Sequence, residues 1–220
     1  MTTETKILGS ILIITLVLLF GGVFLLSRGS SSQSSPASIE EKNTVQIDYS
    51  KGEKIGSDSA KIKVVEFSDL ECPACLAAEP SIKKLRSTYT DQIQFIYRHF
   101  PLTQHTHSRQ VANLAEAAGA QGKFWEMHDK LFDTQAQWTI LNKDDATVFF
   151  LSLAKNLGLD ENKIKQDLQQ DAYKSKIDDD LAEGQRLGVN STPTFFVNGH
   201  KLNLESFDDL NTVVAQELKK

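Results

Sequence analysis

Phe67-Ser68-Asp69-Leu70-Glu71-Cys72-Pro73-Ala74-Cys75 is the stretch on which the fold turns. Before it, Ile62-Lys63-Val64-Val65-Glu66-Phe67 is an apolar run of strand length. After it, Ala77, Ile82, Leu85 and Tyr89 recur at helical spacing behind Pro73, a residue favoured in a first helical turn. The sequence holds no other cysteines. Two thiols separated by two residues, where a strand gives way to a helix, read as a dithiol that closes a small disulfide and reopens it. A purely structural disulfide would clamp too short a loop to add much stability. A zinc centre needs four ligands and would have to recruit two of the five histidines, with His105 and His107 the best placed. Those two read more simply as an exposed loop pair.

Working outward, Thr44 to Tyr49 alternates Val45, Ile47 and Tyr49 with polar residues, which predicts a short half-buried strand, and 51–56 reads as a turn-rich connection. Gln92 to Arg98 predicts the strand after the first helix, so two strands joined by one helix imply a parallel crossover. From about 105 to 187 the pattern is helical almost throughout, a block inserted into the α/β unit. Within it Asp178-Asp179-Asp180 reads as a solvated face, and Phe124 and Trp125 as core. Asn198-Gly199-His200 joins 194–197 and 201–204 as an antiparallel hairpin. A final helix from Ser206 to Leu218 carries Phe207, Leu210, Val214 and Leu218 on one side, with Ser206 able to cap it.

The beginning of the chain is of another kind. After a short tail, 1–6, Ile7 to Leu26 is an uninterrupted run of apolar and small residues, about 20 long and so about 30 Å as a helix, which matches the hydrocarbon core of a bilayer. Its length predicts an uncleaved transmembrane anchor. Residues 27–43 are rich in serine and lack aromatics, which predicts a flexible linker. The rest, 44–220, has the size of one domain. Residues 1–43 balance Lys6, Arg28 and Lys42 against Glu4, Glu40 and Glu41, so the net charge of -5 belongs to the domain. A nucleic-acid partner is therefore not expected. A dithiol tethered to a membrane has work to do on the oxidising side, which places the domain outside the cytoplasm.

Cys72-Pro73-Ala74-Cys75 at the head of the first helix, Ser191-Thr192-Pro193-Thr194-Phe195-Phe196-Val197-Asn198-Gly199 near the end, and the order of strands and helices together resemble the thioredoxin fold. The helical insertion, Arg98-His99-Phe100-Pro101-Leu102 and Gln121-Gly122-Lys123-Phe124-Trp125-Glu126-Met127-His128 resemble the DsbA-like thiol-disulfide oxidoreductases of that superfamily. The expected fold is thus α/β, thioredoxin-like, with an inserted helical subdomain and one preceding transmembrane helix.

The resemblance implies that Cys72 is the sulfur that meets the substrate and Cys75 its buried partner. It implies that the Thr192-Pro193 bond is cis and lies beside the disulfide, with the Thr192 main chain against the substrate peptide. Glu66, six residues before Cys72, matches a buried acidic residue of the pattern. Apolar neighbours on both sides independently predict its burial, and a buried unpaired carboxylate is costly enough to suggest a role in moving a proton for Cys75. The strongly oxidising bacterial enzymes carry Pro-His between the cysteines where this chain carries Pro73-Ala74, which predicts a less oxidising disulfide. No cofactor beyond the Cys72-Cys75 disulfide is expected. The expected partners are cysteine-containing secreted or membrane proteins, a membrane redox partner that recycles the dithiol, and the bilayer through 7–26, with the enzyme itself a monomer. A reductase or isomerase of the same fold, or a tethered peptide-binding module with incidental cysteines, are the alternatives.

Overall fold

The computed structural model describes residues 38–39 and 44–220. The tail 1–6, the expected span 7–26 and most of the expected linker 27–43 lie outside the described residues. Among the described residues no helix is long and apolar enough to cross a membrane.

A six-stranded sheet carries the site, with strands β1 (Ser38–Ile39), β2 (Glu53–Gly56), β3 (Ile62–Ser68), β4 (Ile93–His99), β5 (Thr194–Val197) and β6 (His200–Asn203) in the order β1-β6-β5-β3-β4-β2. β3 and β4 are parallel, as the crossover through α1 (Pro73–Thr88) demands, and the remaining pairings are antiparallel. Between β4 and β5 the chain makes six helices: α2 (Ser108–Gly119), α3 (Phe124–Asp133), α4 (Gln135–Trp138), α5 (Lys143–Asn156), α6 (Glu161–Gln170) and α7 (Lys174–Arg186). The last helix is α8 (Asp209–Glu217). The thioredoxin-like α/β fold with its helical insertion is therefore as the sequence predicts.

Alternation along β3 and β4 assigns the two sheet faces. Ile62, Val64, Ile93 and Phe95 pack with Ala78, Ile82 and Leu85 of α1 and with Leu210, Val213 and Val214 of α8. Val65, Phe67 and Ile96 face the other way, against Phe100, Leu187, Val189 and Phe196. The insertion has its own core, in which Val111, Leu114, Met127, Leu131, Trp138 and Phe150 meet Leu70 and both cysteines. Gly184 of α7 is where the insertion comes closest to the sheet. A Cβ there would lie 2.7 Å from the Phe100 ring and 2.9 Å from that of Phe67, so a larger residue would not fit without displacement.

Several expectations need correction. Residues 44–49 do not form a strand, although their burial alternates as expected and Ile47 enters the core, with Val45 and Tyr49 beside it. Alternation reports which side chains face inward, not whether the backbone has a ladder partner. Val45 N–H makes a bond to Gly199 O at 2.9 Å. The edge strand is instead β2, within the segment expected to be a turn. Gly52 precedes it and Gly56 ends it, at φ +83° and +96°, and a Cβ on Gly52 would lie 2.6 Å from the Tyr97 carbonyl. β1 falls inside the expected linker, pairing Ser38 with Asn203 and Ile39 with Leu202.

In α1 the buried stripe runs through Cys75, Ala78, Ile82 and Leu85, while Ala77 faces solvent. The final helix begins at Asp209, and the Ser206 hydroxyl accepts from Asp208 N–H at 3.3 Å in the turn before it. Asp180 is buried and paired with Arg98, so only part of the Asp178-Asp179-Asp180 run is a solvated face. His107 is buried, and His105 Nδ1 lies 2.8 Å from Asp69 Oδ2, so the two histidines are not an exposed pair. Phe124 is core as expected, while Trp125 is half-buried and donates its indole N–H to the Lys54 carbonyl at 3.2 Å.

Candidate active site

β3 delivers the chain to the dithiol, and the loop between them is held by its own carboxylates. Asp69 Oδ1 accepts from Glu71 N–H at 2.9 Å and from the Ser108 hydroxyl at 2.6 Å. Its Oδ2 accepts from Leu102 N–H at 2.9 Å, and its carbonyl accepts from Cys72 N–H at 2.9 Å. Glu71 Oε2 accepts from His107 N–H at 2.6 Å. Ser108, His107 and His105 belong to the start of the insertion, so the insertion clasps the loop that precedes Cys72.

Cys72 is the N-cap of α1, with no side-chain cap, and Pro73 opens the helix. Its sulfur takes the place a capping oxygen would occupy, facing the free N–H groups and the positive end of the helix dipole. Both thiols are free and buried, Cys72 to 6% exposure and Cys75 to 0%. The Cys75 thiol donating to Cys72 Sγ, aided by the N–H groups of Cys75 and Ala74, pulls Cys72 down to about 5 against the opposing effect of burial. Burial drives Cys75 the other way, well above the ordinary thiol range, and the hydrogen bond its thiol gives to Cys72 adds to this. One sulfur is thus prepared to be a thiolate and the other to hold its proton.

The Thr192-Pro193 peptide is cis, and the Thr192 carbonyl lies 3.5 Å from Cys72 Sγ across the site. A cleft of about 350 Å³ opens beside Pro193, lined among others by Asn190, Ser191, Thr194 and Lys201. Glu66 is fully buried on the α1 face of β3, paired in register with Tyr97. Burial, then the nearby charge of Glu79, holds its carboxyl well above the usual range. The five residues singled out in the sequence, Cys72, Cys75, Thr192, Pro193 and Glu66, therefore come together.

Sequence reasoning missed Asp69, Glu71, Ser108 and Glu79. Glu79 was within reach, since it lies four residues after Cys75 on one helical face. It is buried, with His128 Nε2 3.8 Å from its Oε1, while His128 Nδ1 lies 3.0 Å from Asp129 Oδ1. Glu79, His128 and Asp129 could together offer ligand atoms to a metal ion. Lys83 and Arg86 already put positive charge beside both carboxylates, so the counter-charge a cation would bring is supplied by the helix itself.

A dithiol at the head of a helix, a cis proline facing it across the end of a mixed sheet, and a helical insertion between β4 and β5 define a protein of the thioredoxin fold. The Thioredoxin family model matches residues 50–216. The chain belongs to that family. Oxidised BdbD from Bacillus subtilis superposes with a TM-score of 0.66 at 24% identity, covering 76% of this chain and 92% of that one. A thioredoxin-like oxidoreductase from Silicibacter pomeroyi superposes at 0.62 with 25% identity, covering 76% and 92%. A Salinispora arenicola protein named Na(+)/H(+) antiporter NhaA 1 is 37% identical over 158 residues, which make up 71% of this chain and 23% of that protein. The chain spans about a quarter of the length of the curated relatives it matches.

Proposed function

We propose that this chain is a membrane-anchored thiol-disulfide oxidoreductase, with its catalytic domain outside the cytoplasm, that forms or exchanges disulfides in secreted or membrane proteins. The observation that carries the reading is the placing of the two sulfurs: Cys72 at the N-cap of its helix, 3.5 Å from the carbonyl of the cis Thr192-Pro193 bond and drawn down in pKa, and Cys75 in the interior, pushed up by burial. In the oxidising direction a substrate thiolate attacks Cys72 Sγ of the closed disulfide. The S–S bond breaks with its electron pair on Cys75, which takes up a proton. The substrate's second thiolate then attacks the substrate sulfur of the mixed disulfide and expels Cys72 as a thiolate, leaving substrate oxidised and the enzyme a dithiol. Reduction reverses these steps.

Glu66, kept neutral by burial, is the group that exchanges a proton with Cys75, directly or through water. The Thr192 main chain and the cleft beside Pro193 receive the substrate as an extended peptide, the carbonyl being already turned toward Cys72. A membrane redox partner returns the dithiol to the disulfide. The anchor reading rests on the apolar run 7–26 and the compartment on what a tethered dithiol is for. With Ala74 in place of histidine, the disulfide is less oxidising than about -120 mV.

The test is disulfide exchange by the full chain with a reduced dithiol peptide and with insulin. Cys72→Ser is expected to abolish both, and Cys75→Ala to accumulate a mixed disulfide at Cys72. Turnover that survives Cys72→Ser would refute the reading.

A further inference from the structure

Among the described residues, α4, a helix that sequence periodicity does not reveal, carries the one side chain of the insertion that reaches the backbone of Cys72 itself. Gln135 is 5% exposed, and its Nε2 donates to the Leu70 carbonyl at 2.9 Å and to the Cys72 carbonyl at 3.2 Å. Both partners are acceptors, so the amide nitrogen is the only end of the side chain that fits there. The Cys72 carbonyl also accepts from Leu76 N–H at 3.1 Å, the first turn of α1. α4 is itself fixed: Trp138 is fully buried, donates its indole N–H to Leu131 O at 2.9 Å, and meets the Phe150 ring edge-on at 5.6 Å.

We infer that Gln135 is a positioning residue for Cys72: by holding the carbonyls of Leu70 and Cys72 it keeps the Cys72 sulfur aligned with the N–H groups of α1. Two consequences of the geometry lead there. The Cys72 carbonyl is the negative end of a dipole on the same residue as a sulfur that must become an anion, and the amide N–H it accepts offsets that dipole. The same bonds fix the backbone of the N-cap residue, from which Sγ is aimed. The clasp of Asp69 and Glu71 by Ser108 and His107 holds the loop upstream, whereas Gln135 holds the reacting residue. Through this residue the helical insertion sets the reactivity of a dithiol that belongs to the sheet domain. The inference deepens the oxidoreductase reading and rests on it for its functional meaning.

The experiment uses the full chain with Gln135→Met, which keeps the side-chain volume and removes the donors, and Gln135→Asn, which keeps the donors but draws them back by one methylene. Thiolate absorbance on pH titration reads Cys72 without requiring turnover. For Met the acid dissociation constant of Cys72 is expected to fall about threefold to tenfold, in line with the loss of one or two hydrogen bonds. The disulfide equilibrium against glutathione should become less oxidising by the same factor. Exchange should slow in kcat with KM for a dithiol peptide unchanged. Asn should lie between Met and the native protein, and carries the test if the Met variant does not fold. Unchanged titration and unchanged equilibrium in folded variants would overturn the positioning role. Loss of exchange in the native chain with a titration shift in the variants would instead refute the oxidoreductase reading alone.

Discussion

Two adjacent rungs of one strand pair treat buried charge in opposite ways. On the α1 face, Glu66 of β3 stands beside Tyr97 of β4. One rung on, on the face toward α7, Phe67 stands beside Arg98. Arg98 is completely buried and matched: its Nε lies 2.5 Å from Asp180 Oδ1, its Nη2 lies 2.5 Å from Glu183 Oε2, and its guanidinium lies over the Phe67 ring at 5.5 Å. Glu66 is as deeply buried, yet neither of its oxygens nor the Tyr97 hydroxyl has a hydrogen-bond partner among the described residues. Glu79 of α1 likewise has no hydrogen bond to either oxygen, although His128 Nε2 lies 3.8 Å from its Oε1. A matched charge holds one protonation state and fixes structure, here the docking of α7 on the sheet. An unmatched carboxyl is free to take up and release a proton, and this one lies close to the dithiol, where the proposed exchange would use it.

The contrast is broken most severely from the matched side. Asp180→Ala leaves Arg98 buried with only Glu183 opposite, and should cost about 3 kcal/mol or more of unfolding free energy by denaturant titration. A loss below about 1 kcal/mol would mean that the two rungs are not different in kind. Next comes the dithiol. Because the folded state holds Cys72 near 5 rather than at 9.0, the reduced form carries stability that is complete above 9.0 and disappears as pH falls through about 5. At pH 7 the pH-dependent gain of dithiol over disulfide should be on the order of 2 kcal/mol, measured as paired melting curves of the two forms at pH 4 and pH 7. A gap that does not change between those pH values would contradict it.

The smallest effect should come from Glu66→Gln. A carboxyl whose folded pKa is raised contributes stability that is present below its unfolded value of 4.5 and lost as pH rises through the folded one. Removing the charge therefore stabilises the protein at pH 7 to 8, by about 2–4 °C in Tm, and leaves it unchanged near pH 4. A gain of equal size at both pH values would show that repacking, not proton release, was at issue.

What the sequence disclosed follows from how local each feature is. The strand–dithiol–helix unit, the crossover and the hairpin turn are written in neighbouring residues. Asn198 and Gly199 occupy positive φ, 48° and 82°, as an Asn-Gly hairpin signal requires. Cys72, Cys75 and Pro193 were legible for the same reason, through spacing and family pattern. Gln135 was not, since a four-residue helix is too short to show a period and a glutamine bears no mark of which carbonyls it will meet. Asp69 and Asp180 were hidden differently. Each is an ordinary acidic residue whose partner lies 39 or 82 positions further along or back, at Ser108 and Arg98, and long-range pairing leaves no local trace. Edge strands escaped because half-exposed backbone pairing needs no apolar alternation, as β2 shows.

Gly184 gives the molecule its mechanics. With rings of Phe67 and Phe100 lying where a methyl group would go, the helical lobe and the sheet are interlocked at van der Waals distance directly behind the loop that leads to Cys72. Such a joint has no slack in which one lobe could rock against the other. If the chain acts as proposed, it is expected to meet its substrates with the two lobes locked at this joint, so the bending needed to bring a cysteine to the sulfur would fall on the incoming polypeptide, and partially folded chains, which bend readily, should be served before compact ones.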